Sequence, residues 1–264
     1  MNKFYIQIAL FLLSIFAYAN NETFAAETAP GEDTKHQLRS RFPTPEEVYE
    51  KNKHLLCDFA IRSTVPELMN EAVKQLEYYA TSKDGYEVYR QSPNDSISYY
   101  VKKIDDKTNI LKVHLNIYAS SQYNAIVNRL WDPNSPNIFN KGHAKVARVY
   151  SPNLIGICQF YPKGSKSYQK YFTAFVKKAE ISKDKTIIAM TSSNSTDRNH
   201  PDIKYKNPAL KNAYLISEST IPKDYDINEQ YQIIHVNLAG YLIEKKGDDL
   251  EITYIESIDG HSSI

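Results

Sequence analysis

Apolar and polar residues alternate without a break from Leu111 to Tyr118. Leu111, Val113, Leu115 and Ile117 fall on one side of an extended chain, and Lys112, His114, Asn116 and Tyr118 on the other. A period of two predicts a strand with one apolar face. At Ser120 or Ser121 the period changes. Tyr123, Ile126, Val127, Leu130 and Trp131 recur at the spacing of a single helix face. A serine is placed to cap that helix, and Pro133 ends it at Asp132. A strand thus runs directly into an amphipathic helix that has to lie on an apolar surface.

The same reading extends to both sides. Thr44-Pro45-Glu46-Glu47 combines a capping threonine, a proline in the first turn and a glutamate three residues on. It predicts a helix carrying Val48, Leu55 and Leu56 and ending near Cys57. A second helix follows Pro66, with Leu68, Met69, Ala72, Val73, Leu76 and Tyr79 as its buried stripe. After a turn at Asp84-Gly85 the pattern is mostly strands: Glu87–Gln91, Ile97–Ile104, the opening strand, Lys145–Tyr150, Leu154–Tyr161, Tyr171–Ile181 and Thr186–Thr191. Asp105–Lys107 reads as a turn, residues 134–143 as a connection with room for one helical turn, and Ser192–Pro208 as a loop. Asn212–Thr220, Tyr231–Ile243 and Leu250–Ile258 complete the set, with Gly247-Asp248 as the last hairpin turn.

The strand Tyr231–Ile243 has two unequal faces. Ile234, Val236, Leu238 and Leu242 form one; Tyr231, Ile233, His235, Asn237 and Tyr241 form the other, which suits either a pocket lining or a solvent face. The whole is an α+β pattern built on a long, mainly antiparallel sheet. Such a sheet curls. With a helix on its concave side it either fills its interior with side chains or keeps a cavity.

Composition narrows the classes. The chain has 264 residues and a net charge of +1, which gives no general attraction to nucleic acid. Tyrosine, with 21 residues against one tryptophan, supplies flat apolar bodies with polar tips. Met1–Ala19 reads as a secretory signal: Lys3, an apolar run from Phe4, and Ala17 and Ala19 before the cleavage point. Residues 20–43 are a polar leader, and 44–264 one domain. Cys57 and Cys158 leave a disulfide and two buried thiols equally open. Asn21, Asn94 and Asn194 begin glycosylation sequons. No paired-histidine metal motif, no G-x-S-x-G elbow and no phosphate loop is present, so the reading is of a non-enzyme with no cofactor and no metal.

The segments DGYEVYRQ and ISYYVKKI, then a strand entering a helix that ends in Trp131-Asp132, together with the strand order after them, resemble the START domain. PEEVYEKNKHLLC, LMNEAVKQLEYYATSKDGYEVY and NRLWDPN, with the signal peptide, resemble the Fam-a family of secreted malaria-parasite proteins. The resemblance covers Pro45 to Ser263. It implies a helix-grip fold in which a curved antiparallel sheet holds a lipid under a C-terminal helix. It also implies binding and transfer of phospholipid, with phosphatidylcholine the favoured species. A monomer in transient contact with membranes, and export towards the host red cell, follow from it as well.

The sequence departs from that pattern in three places. Choline-lipid members place a phosphate-binding arginine three residues before the Trp-Asp pair; Asn128 stands there and Arg129 follows it, rotated by about 100° on the helix. No cage tryptophan stands near Ile157. The chain stops a few residues after Leu250–Ile258, so the C-terminal helix is expected to be missing.

A quaternary ammonium group is held by aromatic faces and its phosphate by a cation. The candidates are Tyr171, at the family's headgroup tyrosine, with Phe175 and Tyr214 for the choline, and Arg129 for the phosphate. Trp131 is either a ligand contact or core packing, and each aromatic has the same alternative as an ordinary strand residue. The rival function is a secreted adhesion or host-interaction module with a closed cavity.

Overall fold

The computed structural model describes residues 42–57, 64–91, 96–135, 143–162, 169–192, 205–211, 213 and 231–259. Three α-helices are described: α1 (Pro45–Lys51), α2 (Val65–Thr81) and α3 (Tyr123–Trp131). Ten strands accompany them: β1 (Glu87–Gln91), β2 (Ile97–Lys103), β3 (Asn109–Ile117), β4 (His143–Ser151), β5 (Leu154–Phe160), β6 (Gln169–Ser182), β7 (Lys185–Thr191), β8 (Tyr231–Ile233), β9 (Val236–Lys246) and β10 (Asp249–Ile258). Nine form one sheet in the order β1-β2-β3-β10-β9-β7-β6-β5-β4. Every pairing on that path is antiparallel, and β8 adds a short parallel pairing to β6.

This order explains where α3 lies. β3 ends in the middle of the sheet and β4 forms its far edge. The chain between them has to cross six strand spacings, about 29 Å at the usual inter-strand distance. It does so over one face, here called inner, where α3 buries Tyr123, Ile126, Val127, Leu130 and Trp131 against the sheet. That face is one continuous apolar layer, from Tyr99 on β2 through Leu111 and Val113, Ile252 and Tyr254, Tyr241, Ile188 and Phe172 to Ile157 and Val149. Val48 on α1 belongs to the same layer.

Helix α2 covers the opposite, outer face. Val65, Leu68, Met69, Ala72, Val73, Leu76 and Ala80 are its buried residues, and they meet Phe175, Ile187, Ala189, Leu238, Leu242 and Ile255. The helix approaches the sheet closely at Gly240. A methyl group there would lie 1.9 Å from the Ile188 carbonyl oxygen and 2.8 Å from Leu76 Cδ1, and its φ is +140°.

The end of α2 is tied down by a buried lysine. Lys112, on the polar side of β3, is only 6 % exposed. Its ammonium donates to the Ser82 carbonyl at 2.6 Å and lies 3.8 Å from the centre of the Tyr86 ring and 5.3 Å from that of Tyr100. Lys102 makes a parallel tie, donating to the Asp84 carbonyl at 2.9 Å. Burial, with Lys102 and Lys83 nearby, draws the Lys112 amine down to about 8.

Several local expectations are corrected. The first helix stops at Lys51, because Asn52 turns out of helical geometry and its side chain donates to the Val48 carbonyl. A 3-10 turn follows, and Leu56, 39 % exposed, bridges to Val149 instead of completing a helix face. No serine side chain caps α3; Ser120–Gln122 wind into a 3-10 turn that leads into it.

The strand Tyr231–Ile243 is two strands, broken where Ile234 donates to Tyr171 and Val236 to the Ser192 hydroxyl. Opposite Ser257 and Ile258 the ladder steps from Leu238 to Val236 and skips Asn237. One extra residue reverses the facing of everything beyond it. Ile234 and Val236 therefore share the inner layer with Tyr241, while Leu238 and Leu242 lie on the outer one.

Cys57 and Cys158 are both buried thiols with no disulfide between them, and burial raises Cys158 to about 12. The signal, the leader apart from Phe42 and Pro43, the three sequon asparagines and, apart from Ala213, the strand expected at Asn212–Thr220 lie outside the described residues. Among the described residues no helix is long and apolar enough to cross a membrane.

Candidate functional site

The inner layer is mainly apolar; besides Thr186 and Gln159 it includes a cluster of charged and hydroxyl groups. Its cation is Arg129, in the last turn of α3 and 8 % exposed. A cation at a helix C-terminus is favoured by the carbonyls that end there. The guanidinium lies 5.6 Å from the centre of the Phe42 ring.

The anion of the cluster is Glu256 on β10, 5 % exposed. It stands in register between Leu111 of β3 and Ala239 of β9, two inner-layer residues, so its side chain shares their face. Tyr254, two residues earlier, donates its hydroxyl to the Glu256 carboxylate at 2.6 Å. The Tyr241 and Tyr254 rings pack at 5.2 Å with a 39° tilt.

Charge links these groups. Burial, followed by the negative charge of Glu256, holds the hydroxyls of Tyr161, Tyr241 and Tyr254 above the ordinary tyrosine value. Arg129 acts in the opposite direction on Tyr241.

The five candidates from the sequence divide. Arg129 and Trp131 lie together on α3 over the inner layer. Trp131 is 2 % exposed, and its indole N–H, a donor with no acceptor function, has no hydrogen-bond partner in this buried position.

Tyr171 and Phe175 point the other way. Along β6 the inner side is taken by Phe172, Ala174 and Val176. Tyr171 stacks on Phe160 at 5.7 Å and meets Tyr231 edge-on at 6.2 Å, in a separate outer cluster. Phe175 packs at 5.8 Å against Tyr150 beneath α2. The sheet separates both from Arg129, so these four residues do not make one site. Tyr214 lies outside the described residues.

On the inner face stand Glu256, Tyr254 and Tyr241, none of them among the five candidates. Tyr241 was legible only as part of a mixed face. Glu256 carries a clearer signal: in Leu250, Ile252, Tyr254, Glu256 a carboxylate falls on the apolar parity of a strand.

A cleft of about 780 Å³ opens on the outer face between Gln75 and Tyr79 of α2, the turn at Ile104 and Asp105, and residues 205–211. The Asp105 carboxylate beside it is occupied by the backbone N–H groups of Lys107 and Thr108. Among the described residues no three His, Cys, Asp or Glu side chains converge as a metal site would require.

No family model matches the chain, and no curated protein sequence matches it. Solved structures do. Human StAR-related lipid transfer protein 5 matches with a TM-score of 0.51 and 10 % identity, over 75 % of this chain and 83 % of that one. Human STARD10 is similar at a TM-score of 0.45 and 11 % identity, over 73 % and 68 %. At such identity the likeness is one of fold, and the fold is the α+β helix-grip architecture of the START type, as the order of strands and helices led one to expect.

Proposed function

We propose that the chain binds phospholipid between α3 and the inner face of the sheet and carries it between membranes without covalent chemistry. The observation that carries this reading is the buried charge cluster. An interior stabilised by apolar burial excludes charges unless they are paired or have work to do. Here a guanidinium and a carboxylate, the latter bonded to a tyrosine hydroxyl, are buried on a mainly apolar face. A headgroup phosphate would meet Arg129. A choline would meet the Tyr241 and Tyr254 faces, which makes phosphatidylcholine the favoured ligand. The likeness in fold to human StAR-related lipid transfer protein 5 supports the same reading.

The energetics suit a carrier. An acyl CH₂ exposed to water costs about 0.8 kcal/mol, so a two-chain lipid with about 30 of them leaves a bilayer alone only over a barrier of roughly 20 kcal/mol. An apolar layer removes most of that cost. Binding no tighter than the bilayer binds is what allows unloading. The setting we propose is the one that the signal peptide and the Fam-a resemblance imply: secretion, then export towards a host cell.

The test is transfer of phosphatidylcholine between vesicles by the purified mature chain, with native mass spectrometry of what it carries. Arg129→Met keeps the bulk of the stem and removes the charge; transfer is expected to fall about tenfold, the usual worth of a charge-assisted contact. Undiminished transfer would remove Arg129 from the site. A folded wild-type chain that carries no phospholipid would favour the host-interaction module instead.

A further inference from the structure

The cleft of about 780 Å³ on the outer face shares no lining residue with the inner layer. Its volume is that of a site for a small molecule. One wall is α2, at Gln75 and Tyr79, and the other is the segment 205–211. That second wall is held in place by hydrogen bonds. Asn207 accepts the backbone N–H groups of Ala209 and Leu210 at 2.8 and 3.0 Å, and its amide donates to the Thr191 hydroxyl at 3.1 Å. The Lys211 N–H donates to the Glu71 carboxylate at 2.8 Å, which ties the wall to α2. Ile104, Ala209 and Leu210 supply apolar lining between the two.

The polar groups of the lining differ in how far they are already engaged. The Tyr205 hydroxyl and the Asn207 amide are taken up by Asn237, and the Asp105 carboxylate by its own turn. The Lys206 and Lys211 ammonium groups, the Gln75 amide and the Tyr79 hydroxyl have no hydrogen bond or ion pair among the described residues. What is left open consists of two cations and two neutral donors, and the one carboxylate of the lining is occupied. We propose that this cleft binds a small anionic amphiphile, a molecule with an apolar body and a single carboxylate. The body lies against Ile104, Leu210 and the Tyr79 ring, where it leaves water. The carboxylate stays at the exposed mouth, where Lys206 and Lys211 attract it and water still reaches it. This site stands apart from phospholipid carriage and does not depend on it.

The experiment is calorimetric titration of the purified mature chain with decanoate. The wild type is expected to bind it saturably. Gln75→Glu keeps the shape of the side chain and sets a carboxylate in the cleft against that of the ligand; affinity is expected to fall about tenfold. Gln75→Lys reverses the sign and is expected to tighten binding about threefold. Lys206→Gln combined with Lys211→Gln is expected to weaken it about threefold, with a smaller salt dependence than the wild type shows. No binding by the folded wild type would overturn the proposal. An affinity that is the same in all three variants would overturn it too, because decanoate would then be held elsewhere, the inner layer included. If Gln75→Glu does not fold, as judged by circular dichroism, the lysine variant, altered at two exposed positions, decides.

Discussion

At position 240 there is no room for a side chain. The Ile188 carbonyl would lie 1.9 Å from a methyl group, Leu76 Cδ1 would lie 2.8 Å away, and the backbone sits at φ +140°. Relief requires either α2 or β7 to retreat, in a region where Leu76, Ile187, Ala189 and Leu242 are all fully buried or nearly so. Gly240→Ala is expected to cost on the order of 3 kcal/mol, the sum of an overpacked core and an unfavourable φ, read as the shift in a urea unfolding curve.

Asn237 makes a related point through hydrogen bonds. The ladder skips it, so its groups are satisfied by side chains instead. Tyr205 donates to its Oδ1 at 2.6 Å, its own amide donates to Asp259 at 2.9 Å, and Asn207 donates to its carbonyl at 2.8 Å. A polar residue with no exposed surface is tolerated there because each of these groups is answered.

Between elements, a few polar ties set how the helices are held. Tyr123, at the start of α3, shares a 2.7 Å hydrogen bond with Thr186 on β7. Tyr123→Phe leaves the buried Thr186 hydroxyl unanswered. It is expected to destabilise the fold by about 1–3 kcal/mol in thermal or denaturant unfolding, without altering secondary structure.

At the other helix, Lys112 holds the end of α2 to β3, and its depressed amine gives that tie a pH dependence. The unfolded chain returns this lysine to its ordinary value near 10.5 while the folded chain holds it at about 8. Between those values the unfolded state binds more protons, so this group makes folding more favourable as pH rises from 8 to 10.5. Below pH 8 the charged form has to be held in the interior, by Ser82 and the Tyr86 and Tyr100 rings. Lys112→Met is therefore expected to flatten the dependence. The difference in melting temperature between variant and wild type should change by a few degrees across this window.

Over the whole molecule, what the sequence disclosed was what neighbouring residues decide among themselves. The strand-to-helix passage at 109–131, the stripe of α2 and the glycine turns at 85 and 247 all follow from local period and backbone preference. What it did not disclose depended on pairing between distant strands. Alternation along β6 says that Tyr171 and Phe172 face opposite ways. Only the order of strands says which of them shares a side with α3, and it is Phe172. The skipped residue at Asn237 reverses an alternation that looks regular on paper. Lys112 looks like a solvent residue until the tail of α2 is laid over it. In the site, Arg129 and Trp131 were legible because they ride on a strongly periodic helix. The carboxylate that completes the cluster was legible only as one polar residue out of step with its strand.

The division of the core into two layers has one practical consequence. The chain has a single indole, and it is Trp131, buried on the α3 side. Emission excited selectively at the indole therefore reports on one compartment alone. On the carrier reading proposed above, bromine-labelled acyl chains are expected to quench it, whereas events beneath α2 are separated from it by the sheet.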